Sequence, residues 1–306
     1  MRDVSLLMGQ KRALLIRVCL RMLAILPLKM LQGIGALLGE VLWRLPTRAR
    51  STALVNIELC FPELSRENQL GLARRSLHET AKTFVEMAAI WHWSTTKLKQ
   101  TIIHVDGQDC LDKALAAGQG VIILAPHYGQ WEVLNAYVGQ HYPLTALYRP
   151  PKLSALEPVI RDARQRFGSQ LVPTSRQGVK QLFAALRASQ MIGILPDQEP
   201  TKQHGAGVFA PFFSVPAWSM TLLSRLAYKS QAQVVIAGAR RLAGGEGYAL
   251  SFFRLDERIR AEDLSVSVGY LNQAVETLAR QCPAQYQWSY KRFKTRPPGE
   301  AKLYPK

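Results

Sequence analysis

Cysteine is scarce in this chain. Four of its 306 residues are cysteine, Cys19, Cys60, Cys110 and Cys282, and they are widely scattered. No C-x-x-C pair occurs, and none of the four lies near a histidine at zinc spacing. The sequence therefore predicts neither a disulfide framework nor a structural zinc site, and it suits a reducing, cytoplasm-facing compartment. Acidic residues are also in short supply: 22 Asp+Glu stand against 39 Lys+Arg, a formal net charge of +17. A chain so unbalanced seeks anions. Nucleic acid, anionic lipid head groups, phosphorylated substrates and acidic carrier proteins all qualify, and charge does not choose among them. Repeats and low-complexity tracts are missing. With 48% apolar and 20% charged residues, the composition is globular and the length supports a sizeable core.

Long uninterrupted apolar runs are missing as well. Residues 13–43 are rich in Leu, Ile and Met but are broken by Arg17, Arg21, Lys29 and Glu40, with Pro27 in the middle. Uncharged runs such as Met22 to Leu28 fall well short of the roughly 20 residues a clean membrane span needs. No small-residue cleavage site follows a short apolar stretch, so a cleaved signal peptide is not expected. Arg17 and Arg21 share one helical face. A basic stripe on an apolar helix suits a segment lying in a membrane interface. A tilted span with snorkelling arginines and a buried helix pair fit the same residues. The expected division is a membrane-anchoring helical segment, 1–45, and a single α/β domain, 46–306.

Helical signals dominate to residue 100, including a helix over 65–93. Beyond it the rhythm changes. Asp109–Ala117 reads as a helix ended by Gly118. Apolar runs predict strands at 120–126, 144–148, 170–173, 191–195, 233–238 and 248–254. Helices are predicted at 130–139, 153–167, 177–189, 217–230 and 266–281. Alternating strands and helices define an α/β fold with a mostly parallel central sheet flanked by helices. In such sheets ligands sit beyond the carboxyl ends of the strands. His127 follows the first of these strands and Asp197 follows MIGIL, so both are candidate site residues.

The stretch GVIILAPHYGQWEVLNA, residues 120–136, holds the densest chemistry. His127 and Glu132 are five positions apart. On one ideal helix their side chains would diverge by about 140° and could not meet. They can meet if His127 stays on a turn and the helix begins near Gly129, a residue suited to turns. Glu132 would then accept a hydrogen bond from the imidazole, fix its tautomer and support its protonated form. A helix-start histidine beside a solvated glutamate fits the same spacing. The loop LPDQEPTKQHGAGVFAPFFSVPAWS, residues 195–219, carries Asp197, Gln198 and the pair Phe212-Phe213. Loops of that length are commonly functional, and the two phenylalanines would suit an apolar groove or a membrane contact. Arg149, just after a strand, is an anion-binding candidate. Arg161 and Arg164 share a helical face, which a solvated basic surface also explains. The basic, aromatic tail from Trp288 could bind nucleic acid or a phosphate-rich lipid surface.

Several blocks together resemble a known family. His127-x4-Glu132 is similar to the H-x4-D/E signature of glycerolipid-type acyltransferases. APHYGQWEV, LYRPPK followed by R-x2-R, LPDQEP, GVFAPFF-x-VPA and WSYKRFKTRPPGE-x3-LY, in that order, resemble the lipid A biosynthesis (lauroyl/myristoyl) acyltransferases of Gram-negative inner membranes. The chain departs from that pattern before Asp197, where Ala or Val is common, and at Ser214, where Gly is common. The resemblance implies that His127 acts as general base on an acceptor hydroxyl with Glu132 orienting it, that Arg164 stabilises the oxyanion, and that Arg149, Asp197 and Gln198 shape the substrate site. It implies no metal and no cofactor beyond an acyl carrier protein thioester as co-substrate. The implied partners are acyl carrier protein, an anionic phosphorylated glycolipid acceptor and inner-membrane lipid at the cytoplasmic face, with no nucleic acid. Acyl transfer to another glycolipid or aminolipid, and a basic nucleic-acid-binding protein without catalysis, are the competing expectations.

Overall fold

The computed structural model describes residues 2–151, 156–200 and 207–305, with side chains from residue 14 onward. Lys152, the first positions of the helix expected at 153–167 and residues 201–206 of the long loop lie outside the described residues. Five helices come first: α1 (Arg2–Ile25), α2 (Leu28–Arg44), α3 (Arg48–Cys60), α4 (Arg66–Ile90) and α5 (Thr95–Gln100). Pro27 separates α1 from α2, as its missing N–H and fixed φ dictate. Ser65 caps α4, its hydroxyl accepting from the Asn68 amide at 3.3 Å. No helix among the described residues is long and apolar enough to cross a membrane.

Helix α2 is apolar on two faces. Leu28, Leu31, Gly35 and Gly39 are buried, whereas Met30, Leu37, Leu38, Val41 and Leu45 at its end are exposed. The buried face seats on α4 backbone to backbone. A Cβ at Gly35 would lie 2.4 Å from the Lys82 Cα, and one at Gly39 would lie 2.4 Å from the His78 Cα. Only glycine permits that approach. Glu40 then reaches across to accept hydrogen bonds from Arg74 and His78 on α4. The Arg74 guanidinium beside Glu40, aided by His78 and Arg44, lowers its pKa to about 2.

The remainder alternates. It comprises β1 (Ile102–Asp106), α6 (Gln108–Ala116), β2 (Val121–Leu124), α7 (Trp131–His141), β3 (Leu144–Tyr148), α8 (Glu157–Arg166), β4 (Gln170–Pro173), α9 (Arg176–Arg187) and β5 (Met191–Ile194). Then follow β6 (Gly207–Phe212), β7 (Val215–Met220), α10 (Leu222–Ser230), β8 (Gln233–Arg241), β9 (Tyr248–Arg254) and α11 (Leu264–Gln281). Seven strands form one sheet in the order β1-β9-β8-β2-β5-β3-β4. Strands β8, β2, β5, β3 and β4 run parallel, while β9 pairs antiparallel with β8 and carries β1 with it. The sheet is thus mostly parallel, with a reversed edge.

Successive residues of β2 face opposite layers, as the strand period requires. Ile122 and Leu124 join a core with α9, α10 and α11, and Val121 and Ile123 join one with α6 and α7. Helix α4 contributes to both, with Leu72 and Leu77 in the first and Val85 and Ile90 in the second. It therefore closes one end of the sandwich.

Two expectations need correction. The helix expected at 217–230 begins only at Leu222, because Val215–Met220 is a strand. The long loop is accordingly not a plain excursion: β6 and β7 pair in register from Gly207↔Met220 to Phe212↔Val215. Phe213 and Ser214 make a two-residue turn with φ of 49° and 63°, the left-handed geometry that favours glycine. The departure at Ser214 therefore costs backbone energy rather than chemistry. The pair Phe212-Phe213 does not line a groove. Both rings are buried, and Phe213 packs on Phe61 and Trp288 at centroid distances of 5.1 and 5.5 Å.

Candidate active site

Strand β2 leads to β3 on one side of the sheet, and its neighbour β5 leads to β8 on the other. Their carboxyl ends flank a topological switch point, where α/β sheets open a crevice. His127 follows β2 and Asp197 follows β5. The strand-turn-helix expectation holds: α7 starts at Trp131, and Gly129 turns the chain at φ 57°. A Cβ on Gly129 would lie 1.9 Å from the Ala239 carbonyl oxygen, so no larger residue fits that turn.

The partner expected for His127 needs correction. No hydrogen bond joins His127 to Glu132 among the described contacts. Asp197 holds the histidine instead, accepting from its Nδ1 at 2.8 Å and from its backbone N–H at 2.9 Å. Burial, and after it the charge of the same carboxylate, push the Tyr286 hydroxyl well above its ordinary pKa. Burial works against ionisation of Asp197, but the His127 charge and hydrogen bonds outweigh it and hold the carboxyl below its ordinary pKa. On the far side of the ring, Gln198 Nε2 lies 3.2 Å from His127 Nε2. The Trp131 ring packs edge-on against the imidazole at 4.8 Å.

Glu132 projects from the first turn of α7, where acidic side chains complement the helix dipole. It is buried and paired with Arg164 from α8, whose Nε donates at 3.1 Å and whose second guanidinium nitrogen donates to the other oxygen. Trp91 Nε1 donates to it as well, at 3.3 Å. Burial opposes the charge on Arg164, but Glu132 outweighs it and raises the guanidinium pKa above its ordinary value. Trp131, Glu132 and Arg164 line a narrow cavity of about 50 Å³. Its remaining wall is almost wholly apolar, with Leu134, Val138, Leu144, Leu147 and Leu195 among its residues, and with Gly193 of β5. A Cβ at Gly193 would meet only ordinary contacts, 3.5 Å from Leu144 and 3.7 Å from Ala146.

A buried polar cluster mounts the turn between His127 and Glu132. Gly129 donates its N–H to the Gln285 carbonyl at 2.9 Å and accepts from Thr83 Oγ1 at 3.0 Å. Gln130 donates its N–H to the Ala239 carbonyl at 2.8 Å and its amide to Thr83 O and Glu86 Oε2 at 3.1 and 2.9 Å. Arg241 at the end of β8 pairs with Glu86 and Glu79, each at 2.7 Å. Sequence reasoning missed Glu86, Arg241 and Tyr286, since none belongs to a recognisable block. The arginine pair Arg240-Arg241 at the end of an apolar strand was the available signal for Arg241. Arg149 sits exposed just past β3, and none of the described hydrogen bonds joins it to His127, Glu132 or Arg164. The basic tail is structural in part: Arg292 is buried and donates to Trp218 O and Ser219 Oγ at 2.9 and 2.6 Å.

A histidine held by a buried carboxylate thus packs on Trp131, which also lines an apolar cavity edged by Glu132 and Arg164. Comparison of sequences is more specific. The chain belongs to the bacterial lipid A biosynthesis acyltransferase family, whose model matches residues 3–295. It is by that membership an O-acyltransferase of lipid A biosynthesis. Its relatives include the lipid A biosynthesis palmitoleoyltransferase of Escherichia coli K12, 29% identical over 283 residues, covering 91% of this chain and 90% of that one. The lauroyltransferase of the same organism is 25% identical over 280 residues, covering 91% and 90%. Its myristoyltransferase is 27% identical over 290 residues, covering 92% and 86%.

Proposed function

We propose that this protein transfers a fatty acyl chain from a thioester of acyl carrier protein to a hydroxyl of a lipid A precursor. The observation carrying this reading is the adjacency, at one switch point, of the His127–Asp197 pair and the apolar slot edged by Glu132 and Arg164. Asp197 orients His127, leaving Nε2 to take the hydroxyl proton. The hydroxyl oxygen bonds the thioester carbonyl carbon, and the oxyanion that forms is stabilised by Arg164, kept charged and aimed by Glu132. The C–S bond then breaks, and the sulfur takes the proton back from His127. Arg149 helps bind substrate. The net charge of +17 suits an anionic glycolipid, an anionic leaflet and an acidic carrier protein alike.

The exposed apolar row of α2, with Arg21 and Lys29 exposed nearby, supports attachment to the cytoplasmic face of the inner membrane. Mass spectrometry of lipid A from cells lacking the protein tests the acceptor. Loss of one acyl chain from lipid A is expected. Unchanged lipid A with another glycolipid or aminolipid losing a chain would transfer the reading to that lipid.

Gly193 offers a separate check on the slot. Leucine there adds a side chain in a cavity of about 50 Å³. Gly193→Leu is expected to shift the preferred donor to a shorter chain, with competition among acyl thioesters as the readout. Unaltered preference would mean that the acyl chain lies elsewhere.

A further inference from the structure

The partners of His127 assign its tautomer. Nδ1 faces a buried carboxylate at 2.8 Å, so Nδ1 carries the proton. In the neutral ring Nε2 is then a bare lone pair, able to accept one hydrogen bond. The amide nitrogen of Gln198 lies 3.2 Å from it, as a donor. The atom that must take the acceptor hydroxyl's proton is therefore already engaged by the protein.

The loop leaves that carboxamide little freedom. On one side of Gln198, Asp197 is tied to His127. On the other, the Glu199 N–H donates to the Tyr290 hydroxyl at 2.9 Å, and its carboxylate accepts from Thr295 N and Oγ1 at 2.9 and 2.8 Å. Gln198 is held between two anchored neighbours with its side chain delivered to Nε2. A residue serving only to support the loop has no need to reach the reacting atom.

We propose that Gln198 is a displaceable cap, which withholds His127 Nε2 from water until the acceptor hydroxyl takes its place. The inference rests on His127 being the base. Its consequence is protection of the acyl donor. A water at an uncapped Nε2 would lose a proton to the ring and bond its oxygen to the thioester carbonyl carbon. The C–S bond would break and the sulfur would take the proton from His127, leaving a free fatty acid and a thiol. With the cap in place, a bound thioester waits for a hydroxyl able to compete with the amide. A lipid acceptor positioned by its own contacts does so, and a freely diffusing water does so less well.

The test uses the full chain with lauroyl, myristoyl and palmitoleoyl thioesters of acyl carrier protein, with and without lipid A precursor. Free acid and acylated lipid are measured separately. Gln198→Met keeps the length and removes the donor, and Gln198→Ala removes the reach. Losing a hydrogen bond of ordinary strength corresponds to a change of about two- to tenfold. Both variants are expected to raise the ratio of free acid to acylated lipid by about that factor. An unchanged or lowered ratio overturns the cap, including the case in which damage to the fold lowers both products together. His127→Ala separates the two readings. If it retains both reactions, His127 is not the base, whatever the Gln198 variants do.

Discussion

Replacing His127 with alanine is expected to lower the rate of acyl transfer by about 10²- to 10⁴-fold, the usual contribution of a positioned general base. The fold survives, because the histidine side chain is partly exposed and its backbone contacts remain. Alanine nevertheless has a secondary effect. Asp197 is buried and loses the Nδ1 donor, keeping the amide of residue 127. A buried acceptor short of a partner costs about 1–3 kcal/mol. His127→Asn separates the two consequences, since its amide can donate to Asp197 but cannot take a proton. Both variants are expected to be inactive, with asparagine the more stable. Initial rates and thermal midpoints measured side by side check this. A wild-type rate in either variant removes His127 from the chemistry.

Glu86→Ala produces the largest loss of stability expected of any single substitution here. Glu86 is fully buried and takes two hydrogen bonds from Arg241, each at 2.7 Å, and one from Gln130. Removing one partner of a buried pair strands the other charge, which costs about 3–5 kcal/mol. Arg241 retains Glu79, so the lower part of that range is expected. Equilibrium urea unfolding reads the difference. Replacing both members, Glu86→Leu with Arg241→Met, should recover much of the loss, because an apolar pair needs no compensating charge. The double variant would still lack the Glu86 acceptor for the Gln130 amide, and its acyl transfer is expected to stay below wild type even where it is fully folded. A loss under about 1 kcal/mol in Glu86→Ala, the range of exposed pairs, would show that the cluster is solvated rather than buried.

Much of the sheet was legible in the sequence because short apolar runs bounded by Pro or Gly admit few other readings. Leu144–Tyr148, Gln170–Pro173 and Tyr248–Arg254 fall where the pattern puts them. Strand β1, Ile102–Asp106, was not legible: it is an edge strand with mixed exposure and carries no two-residue alternation. Strand β7 was hidden because its residues run directly into the helix-forming LLSRLAYKS, and apolar periodicity cannot say where a strand yields to a helix. The site divided along similar lines. His127, Glu132, Arg164 and Asp197 were all candidates, yet the pairing was misassigned. Spacing along the chain brings Glu132 near His127, whereas Asp197 is 70 residues away. Which two strands lie side by side is a property of the sheet order. No local pattern encodes that β2 and β5 are neighbours, and that adjacency gives His127 to Asp197 and leaves Glu132 for Arg164.

The glycine seam between α2 and α4 bears on how the enzyme meets its surroundings. With Gly35 and Gly39 against the α4 backbone, α2 cannot tilt or slide without a steric collision. Just beyond the seam on α4, Thr83 and Glu86 grip the turn that carries Gly129 and Gln130. The outward row of Leu37, Leu38 and Val41 is thereby indexed to His127 through two rigid joints. A surface that takes hold of that row also sets the height and heading of His127, so docking and aim are one mechanical event.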